Sequence, residues 1–167
     1  LHNRTNAPDA AVPDEYGGRV DYGQGTSFGH MFVHTFNCLI PPNKYFESNP
    51  EYFMLDEDGN RSKKQLCMTN PDVVQLMIDQ VHKFLKEAPN ADIVSVSKND
   101  LVEVWSCERC KAMDEAEGGT NMASRLPLVN SVAKSLEDEY PDVDVSTRAY
   151  LETIELPKTA RPAKNVI

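Results

Sequence analysis

The sequence has no long apolar run, no basic stretch and only one tryptophan. Because a membrane-spanning helix needs roughly 20 consecutive apolar residues, we expect no membrane span in this chain. Its 17 lysines and arginines are outnumbered by 26 acidic residues, which gives a net charge of -9. This charge balance excludes nucleic acid as a partner, since phosphate binding requires a basic surface.

We do not expect the first residues, LHNRTNAPDAAVPDEYGG, to be a signal peptide, because they are too polar. The chain begins at Leu1 rather than at methionine, so we expect it to be a piece of a longer protein that carries any such signal. Its 167 residues, 40% of them apolar, suffice for one domain with a hydrophobic core. Residues 1–28 lack helical or strand period, which predicts an irregular leading segment before a domain over residues 29–167.

The glycines near the beginning of the chain do not form a dinucleotide-binding loop. GGRVDYGQGTSFG lacks the G-x-G-x-x-G pattern between a strand and a helix that such a loop requires. We therefore expect no cofactor.

Strand-like and helix-like segments alternate along the rest of the chain. The clearest helix is NPDVVQLMIDQVHKFLKEAPN, where Asn70 can cap the helix and Pro71 suits its first position. HMFVHTFN, residues 30–37, is rich in β-formers and predicts a strand that leads into a long loop. The later segments follow in the order strand, helix, helix, strand and start of strand: ADIVSVS, CERCKAMDEAEG, the amphipathic stretch from Leu126 to Tyr140, DVDVSTRAY and KNVI.

This order predicts an α/β fold with right-handed β-α-β units and a parallel sheet. We expect residues 92–98 and 143–149 to be adjacent parallel strands, with the helix over 70–88 on the outer face. The spacing fits a partial (β/α)8 TIM barrel, roughly strands three to six with their helices. A full barrel typically has about 250 residues, so the remainder of the barrel must come from the parent protein.

Polar residues follow the predicted strand ADIVSVS, and Asn99 and Asp100 stand at its exit. In β/α barrels the active site lies at the carboxyl ends of the strands, which favours this pair as site residues. An Asn-Asp pair after a strand is also typical of a turn or a helix cap, so that alternative stays open.

The four cysteines allow several structures. Cys107 and Cys110 form a C-x-x-C motif, and Cys38 and Cys67 fall in the loop region after the preceding strand, at the same end of the barrel. Four thiolates can hold a structural zinc, and a secreted protein can instead form two disulfides. Free packed thiols are a further alternative, and thioredoxin-like redox chemistry is the weakest, since that motif usually opens a helix directly after a strand. Either the zinc site or the disulfides would act as a structural clip that stiffens the loop with Asp100.

Five motifs follow one another in order: HTFNCLIPPNKYFESNPEYFML, QLCMTNPDV, ADIVSVSKND, CERCKAMDEAEG and LVNSVAKSLEDEYPDVDVSTRAY. With them, roughly residues 28–167 resemble a bacterial β/α-barrel family long labelled a domain of unknown function. That family is similar to glycoside hydrolases that include endo-β-N-acetylglucosaminidases acting on N-glycans, of the glycoside hydrolase family 163 type. The resemblance implies a retaining hydrolase of N-acetylglucosamine-containing glycans, in a secreted, periplasmic or cell-surface protein of a bacterium.

The resemblance also implies roles for the polar pair, because related N-acetylhexosaminidases place an adjacent polar-acidic pair at the end of the fourth strand. The sugar's own 2-acetamido group attacks the anomeric carbon, while the protein protonates the departing oxygen and holds the acetamide. Asp100 is then the acid, and Asn99 binds the acetamide. Because an amide cannot take up a proton, Glu103 or a carboxylate elsewhere in the parent protein would complete the pair.

Other side chains near the predicted barrel mouth are candidate glycan ligands. Trp105 can stack its indole on a sugar face, with a core position as the alternative. Tyr150 ends the next strand, with its hydroxyl toward the same mouth. His30 and His34 stand four apart on one face of a strand, so we expect one to bind substrate and the other to be structural. The alternative function is a non-catalytic carbohydrate-binding or interaction module on a barrel scaffold.

Overall fold

The computed structural model describes residues 33–102 and 106–167. Within these ranges the fold is mixed α/β, with five α-helices and two small two-stranded sheets. The helices are α1 (Phe36–Leu39), α2 (Pro42–Tyr45), α3 (Pro71–Glu87), α4 (Glu108–Ala116) and α5 (Met122–Leu136). The strands are β1 (Phe53–Leu55), β2 (Arg61–Leu66), β3 (Ile93–Ser95) and β4 (Asp144–Ser146). These described strands form no complete barrel.

Strands β3 and β4 are adjacent and parallel, with Val94 opposite Val145. The prediction of adjacent parallel strands within residues 92–98 and 143–149 is therefore confirmed, although the strands themselves are shorter. On its other side, Val145 bridges in parallel to Val166, and the amide of Ile167 donates to the carbonyl of Val145 at 3.0 Å. The end of the chain thus begins a third parallel segment, as KNVI predicts.

The three longer helices lie where the sequence predicts them. In α3, the side chain of Asn70 accepts a hydrogen bond from the amide of Asp72 at 2.9 Å, and Pro71 occupies the first helical position. The apolar stripe of α3 is buried and packs on α5, because residues three and four apart share one helix face. Across the described residues, no helix has both the length and the apolar character needed to span a bilayer.

The prediction of a strand over residues 30–37 is wrong where the structure describes it. Phe36–Leu39 forms the short helix α1, and residues 30–32 lie outside the described part. The amides of Thr35 and Phe36 both donate to the carbonyl of Ser97, at 3.0 and 3.2 Å, so the chain turns here instead of running as a strand. This turn buries Phe36 and Leu39 together, and the tertiary contacts thereby override the β-propensity of the segment.

The expected long loop after this segment contains an antiparallel hairpin of β1 and β2. A side-chain oxygen of Asp56 accepts hydrogen bonds from the amides of Asp58 and Asn60, at 3.1 and 2.8 Å, which closes the turn. Gly59 in this turn has a φ of 81°, a left-handed conformation that favours glycine. The Asp58-Gly59 pair is the hairpin signal that could have predicted this element.

Candidate functional site

Polar side chains gather where β3 and β4 end, at the carboxyl edge of the parallel sheet. They come from the segment before α1, from the turn after β3, from α5 and from the 3-10 turn Leu151–Thr153 with its N-cap Tyr150, which follows β4. We call this group the carboxyl-end cluster, and its members are His34, Lys98, Asn99, Asp100, Arg125, Tyr150 and Glu152.

His34 is held beside Asp100. Its backbone amide donates to the hydroxyl of Ser97 at 3.0 Å, and its Nδ1 lies 2.9 Å from the carbonyl of Lys98. Because a carbonyl only accepts, Nδ1 must carry the proton, which leaves Nε2 facing Oδ1 of Asp100 at 3.8 Å. The Asp100 side chain is 64% exposed, so its carboxylate, next to the imidazole, is open to a ligand from solvent.

Asn99 is buried and bound to backbone. Its Oδ1 accepts from the amide of Asn37 at 3.3 Å, and its Nδ2 donates to the carbonyl of Lys64 at 2.7 Å. Its own amide and carbonyl pair with the side chain of Gln65, at 3.0 and 2.9 Å. Asn99 therefore ties the end of β3 to β2, and its contact with a substrate acetamide stays a prediction.

A buried ionic network that the sequence did not suggest lies behind Asp100. The carboxylate of Glu152 is 2.9 Å from Nζ of Lys98 and 3.7 Å from Nη2 of Arg125. The side chains of Lys98, Arg125 and Glu152 are only 3%, 1% and 11% exposed. Burial lowers the pKa of Arg125 to about 10, opposed by Glu152, so the guanidinium stays charged near neutral pH.

Lys98 connects this network to the turn that carries Asp100. Its ammonium donates to the carbonyl of Leu101 at 2.5 Å, which closes the turn around Asp100. The same ammonium lies 6.0 Å from the ring centroid of Tyr150, and the guanidinium carbon of Arg148 lies 5.4 Å from it. The partly exposed ring of Tyr150 therefore stands at the cluster with cations near its face.

Two residues at the cluster have a backbone conformation that side-chain-bearing residues rarely adopt. His34 has a φ of 58° and Leu151 a φ of 54°, the only positive φ values of non-glycine residues in the described ranges. Such a conformation costs on the order of 1–3 kcal/mol and persists where the surrounding structure holds it. Since backbone strain concentrates at functional sites, its presence on both sides of the cluster supports a role in binding or catalysis.

Three of the four cysteines form a second group. The sulfur atoms of Cys67, Cys107 and Cys110 all lie within 4.8 Å of one another, and those of Cys67 and Cys107 are 4.0 Å apart. No disulfide joins any of the four cysteines, and Cys38 is exposed and is not a member of the group. We call these three residues the thiol cluster. The thiol cluster brings together Cys67 and the C-x-x-C motif. These are three of the four cysteines of the predicted structural clip, and their sulfur atoms are close enough to hold a metal ion.

Thr69 completes the surroundings of the thiol cluster, with its hydroxyl 3.2 Å from the sulfur of Cys110. Hydrogen bonds with Cys107 and Cys110 lower the pKa of Cys67, whereas hydrogen bonds with Cys107 and Cys67 raise the pKa of Cys110. One thiolate is therefore stabilised by its neighbouring thiols. A cavity of about 350 Å³ opens on this cluster, lined by Cys67, Thr69 and Cys107 among others.

Three predicted site residues lie outside the described ranges: His30, Glu103 and Trp105. Their predicted roles in substrate binding stay predictions. Sequence reasoning missed Lys98, Arg125 and Glu152. The only signal for them was the position of Lys98 and Glu152 just after predicted strands, where polar residues of a barrel converge.

Comparison with known proteins gives a family match that covers nearly the whole chain. A family model described as Domain of unknown function (DUF4838) matches residues 3–167. Among curated proteins no match to the chain was found, and none was found among solved structures.

Proposed function

The chain belongs to the DUF4838 family, and on that premise we propose that it forms part of a retaining glycoside hydrolase acting on N-acetylglucosamine-containing glycans. The fold proposed for the whole protein is a (β/α)8 barrel, to which this chain contributes the parallel segments β3, β4 and the bridge at Val166. A secreted, periplasmic or cell-surface location in a bacterium is part of the same proposal. It rests on the motif resemblance to endo-β-N-acetylglucosaminidases and on the carboxyl-end cluster.

The observation that carries the proposal is the exposed Asp100 carboxylate at the carboxyl end of β3, beside His34 and two residues after Lys98, a member of the buried ionic network. Active sites of β/α barrels form at this end of the strands. Asp100 is open to solvent before substrate binds, and a bound glycan would shield it from water. Such shielding favours the protonated carboxyl that a general acid needs.

In the proposed reaction the acetamide oxygen of the substrate attacks the anomeric carbon while the glycosidic C–O bond breaks. Asp100 gives its proton to the departing oxygen, so the leaving sugar departs as an alcohol. Water then adds to the anomeric carbon of the cyclic intermediate, its proton returns to Asp100, and the acetamide is restored. Two displacements at the same carbon retain its configuration.

The other cluster members support this step. His34 holds the space beside Asp100, and Lys98 fixes the turn through Leu101 while Glu152 balances its charge. Tyr150 offers an aromatic face to a sugar ring. Asn99 and Glu103 remain the proposed partners of the acetamide.

The test measures hydrolysis by the full-length protein on a panel of N-glycans and on a nitrophenyl N-acetylglucosaminide. We expect Asp100→Asn to lower kcat on the natural glycan about a hundredfold or more, because acid catalysis contributes roughly that factor. Bond cleavage in the nitrophenyl substrate should suffer much less, since its leaving group needs little protonation. Glycan binding, measured by calorimetry, should survive.

A matched control is Asp138→Asn, an exposed aspartate in the turn before β4 and thus at the opposite edge of the sheet. It should leave both activities unchanged. Equal losses on both substrates for Asp100→Asn, or no loss, would show that Asp100 is not the acid.

A carbohydrate-binding module without catalysis is the second candidate, favoured by the backbone contacts that occupy the amide of Asn99. On this alternative the wild-type protein binds glycans but hydrolyses none. Tyr150→Ala then weakens binding, whereas Asp100→Asn has little effect on turnover because there is none.

A further inference from the structure

We propose that the thiol cluster of Cys67, Cys107 and Cys110 is a zinc site that fastens the beginning of α4 to the end of β2. Cys67 directly follows β2, and Cys107 and Cys110 lie at the beginning of α4. Residues 98–106, which include the turn with Asp100, connect β3 to α4. A metal at this point would therefore anchor one end of that loop.

The sulfur positions suit zinc better than a disulfide. Zinc–sulfur bonds of about 2.3 Å in a tetrahedral site place the sulfurs about 3.8 Å apart. The Cys67 and Cys107 sulfurs are 4.0 Å apart, and all three lie within 4.8 Å, so small side-chain rotations complete the site. A disulfide requires about 2.05 Å, which would need a movement of roughly 2 Å.

The local structure favours thiolates at this position. Cys107 caps the N-terminus of α4, and its sulfur accepts a hydrogen bond from the amide of Cys110 at 3.3 Å. Helix N-termini stabilise negative charge, which suits a metal-bound sulfur at the capping position. The C-x-x-C spacing places both sulfurs on the first turn, in reach of one ion.

The charge of the site is also balanced. Zn²⁺ with three thiolates has a net charge of -1, and the guanidinium of Arg109 lies at the rim, where it donates to the carbonyl of Thr69 at 2.8 Å. Soft sulfur ligands select zinc over magnesium or calcium. With three protein ligands, the fourth position faces the cavity that Cys67 and Cys107 line, where water can bind.

The experiment uses the full-length protein, purified without chelator from medium with added zinc, and measures bound metal by mass spectrometry. We expect one equivalent of zinc in the wild type and at least a tenfold lower content in Cys67→Ser and Cys107→Ser. Cys38→Ser is the matched control, because Cys38 is exposed and outside the cluster. It should keep the full zinc content.

Cobalt gives a readout independent of the purification history. Co²⁺ added to the zinc-free wild type should produce the near-ultraviolet thiolate-to-cobalt bands of a sulfur-ligated tetrahedral site, and Cys107→Ser should weaken them. Removal of zinc should also lower the melting temperature, because an ion that binds only the folded state stabilises it.

Several results would overturn the proposal. One is a wild type that contains no zinc and shows no thiolate bands with Co²⁺. Another is a native mass two hydrogens lower than the reduced mass, with a peptide that links two of the three cysteines. Cys110 is fully buried, so Cys110→Ser can fail to fold, and the test therefore rests on Cys67, Cys107 and the wild-type titration.

Discussion

Replacement of Glu152 by glutamine should destabilise the fold markedly. The change removes the carboxylate that balances Lys98 and Arg125 but keeps the size of the side chain. Both cations are almost fully buried, and no described residue donates a hydrogen bond of good geometry to the Glu152 oxygens. Each cation therefore loses a contact that solvent cannot replace.

The magnitude follows from the distances and the burial. At 2.9 and 3.7 Å, and with an effective dielectric constant of about 20, the two attractions amount to about 6 and 4 kcal/mol before desolvation is subtracted. Desolvation cancels much of this, and loss of one partner of a buried pair costs about 3–5 kcal/mol. Because glutamine can still hydrogen-bond, we expect about 3 kcal/mol. For a chain of this size this corresponds to a melting temperature lower by about 6–12 °C.

Urea unfolding followed by far-ultraviolet circular dichroism measures this loss, with a thermal melt as the second readout. The control is Glu47→Gln, because Glu47 pairs with Lys63 at 3.5 Å on the exposed surface, where an ion pair contributes at most about 1 kcal/mol. Lys98→Met and the double variant with Glu152→Gln complete a mutant cycle. The cycle should give a coupling energy above about 1 kcal/mol, since the two side chains are in contact.

A loss for Glu152→Gln no larger than that for Glu47→Gln would refute this reasoning. Additive losses in the cycle would do the same for the specific pairing of Lys98 with Glu152. Either result would mean that contacts other than these ion pairs stabilise the carboxyl-end cluster.

Two further predictions concern groups outside the cluster. Burial raises the pKa of Asp114 above its ordinary value, opposed by hydrogen bonds from Ser124, so the folded state holds this proton more tightly than the unfolded chain does. As the pH rises from the ordinary pKa of an aspartate through the raised pKa of Asp114, the wild type should therefore lose stability relative to Asp114→Asn. Urea unfolding at several pH values from acid to neutral should show that the difference in free energy of unfolding between the two proteins grows. Asn70→Ala removes the side-chain cap that accepts from the amide of Asp72, and thermal melts should show a loss of about 1 kcal/mol. Asn70→Asp should recover most of this loss, because it keeps the accepting oxygen and lacks only the exposed bond to the carbonyl of Glu51. An unchanged melting temperature for Asn70→Ala would mean that the first turn of α3 is held by its other contacts.

The sequence by itself determined those elements whose signals are local. Helix α3 has a cap, a proline at its first position and an apolar stripe, all contained in one segment. The parallel pairing of β3 and β4 also followed from the sequence, because a connection of two helices between two strands has few alternatives. The position of Asp100 at a strand exit was also predicted, because the polar residues directly follow the apolar strand segment in the sequence.

Only the tertiary structure decided the features that depend on distant partners. The segment at Phe36 turns into a helix because its amides meet the carbonyl of Ser97, about 60 residues away in the chain. Glu152 meets Lys98 and Arg125 through three different elements, a contact that no spacing in the sequence encodes.

The thiols illustrate the same division. Their C-x-x-C spacing was visible in the sequence, but the choice of Cys67 rather than Cys38 as its neighbour depends on where β2 ends in space. Local backbone preferences determine an element, whereas a site is determined by the packing that brings elements together.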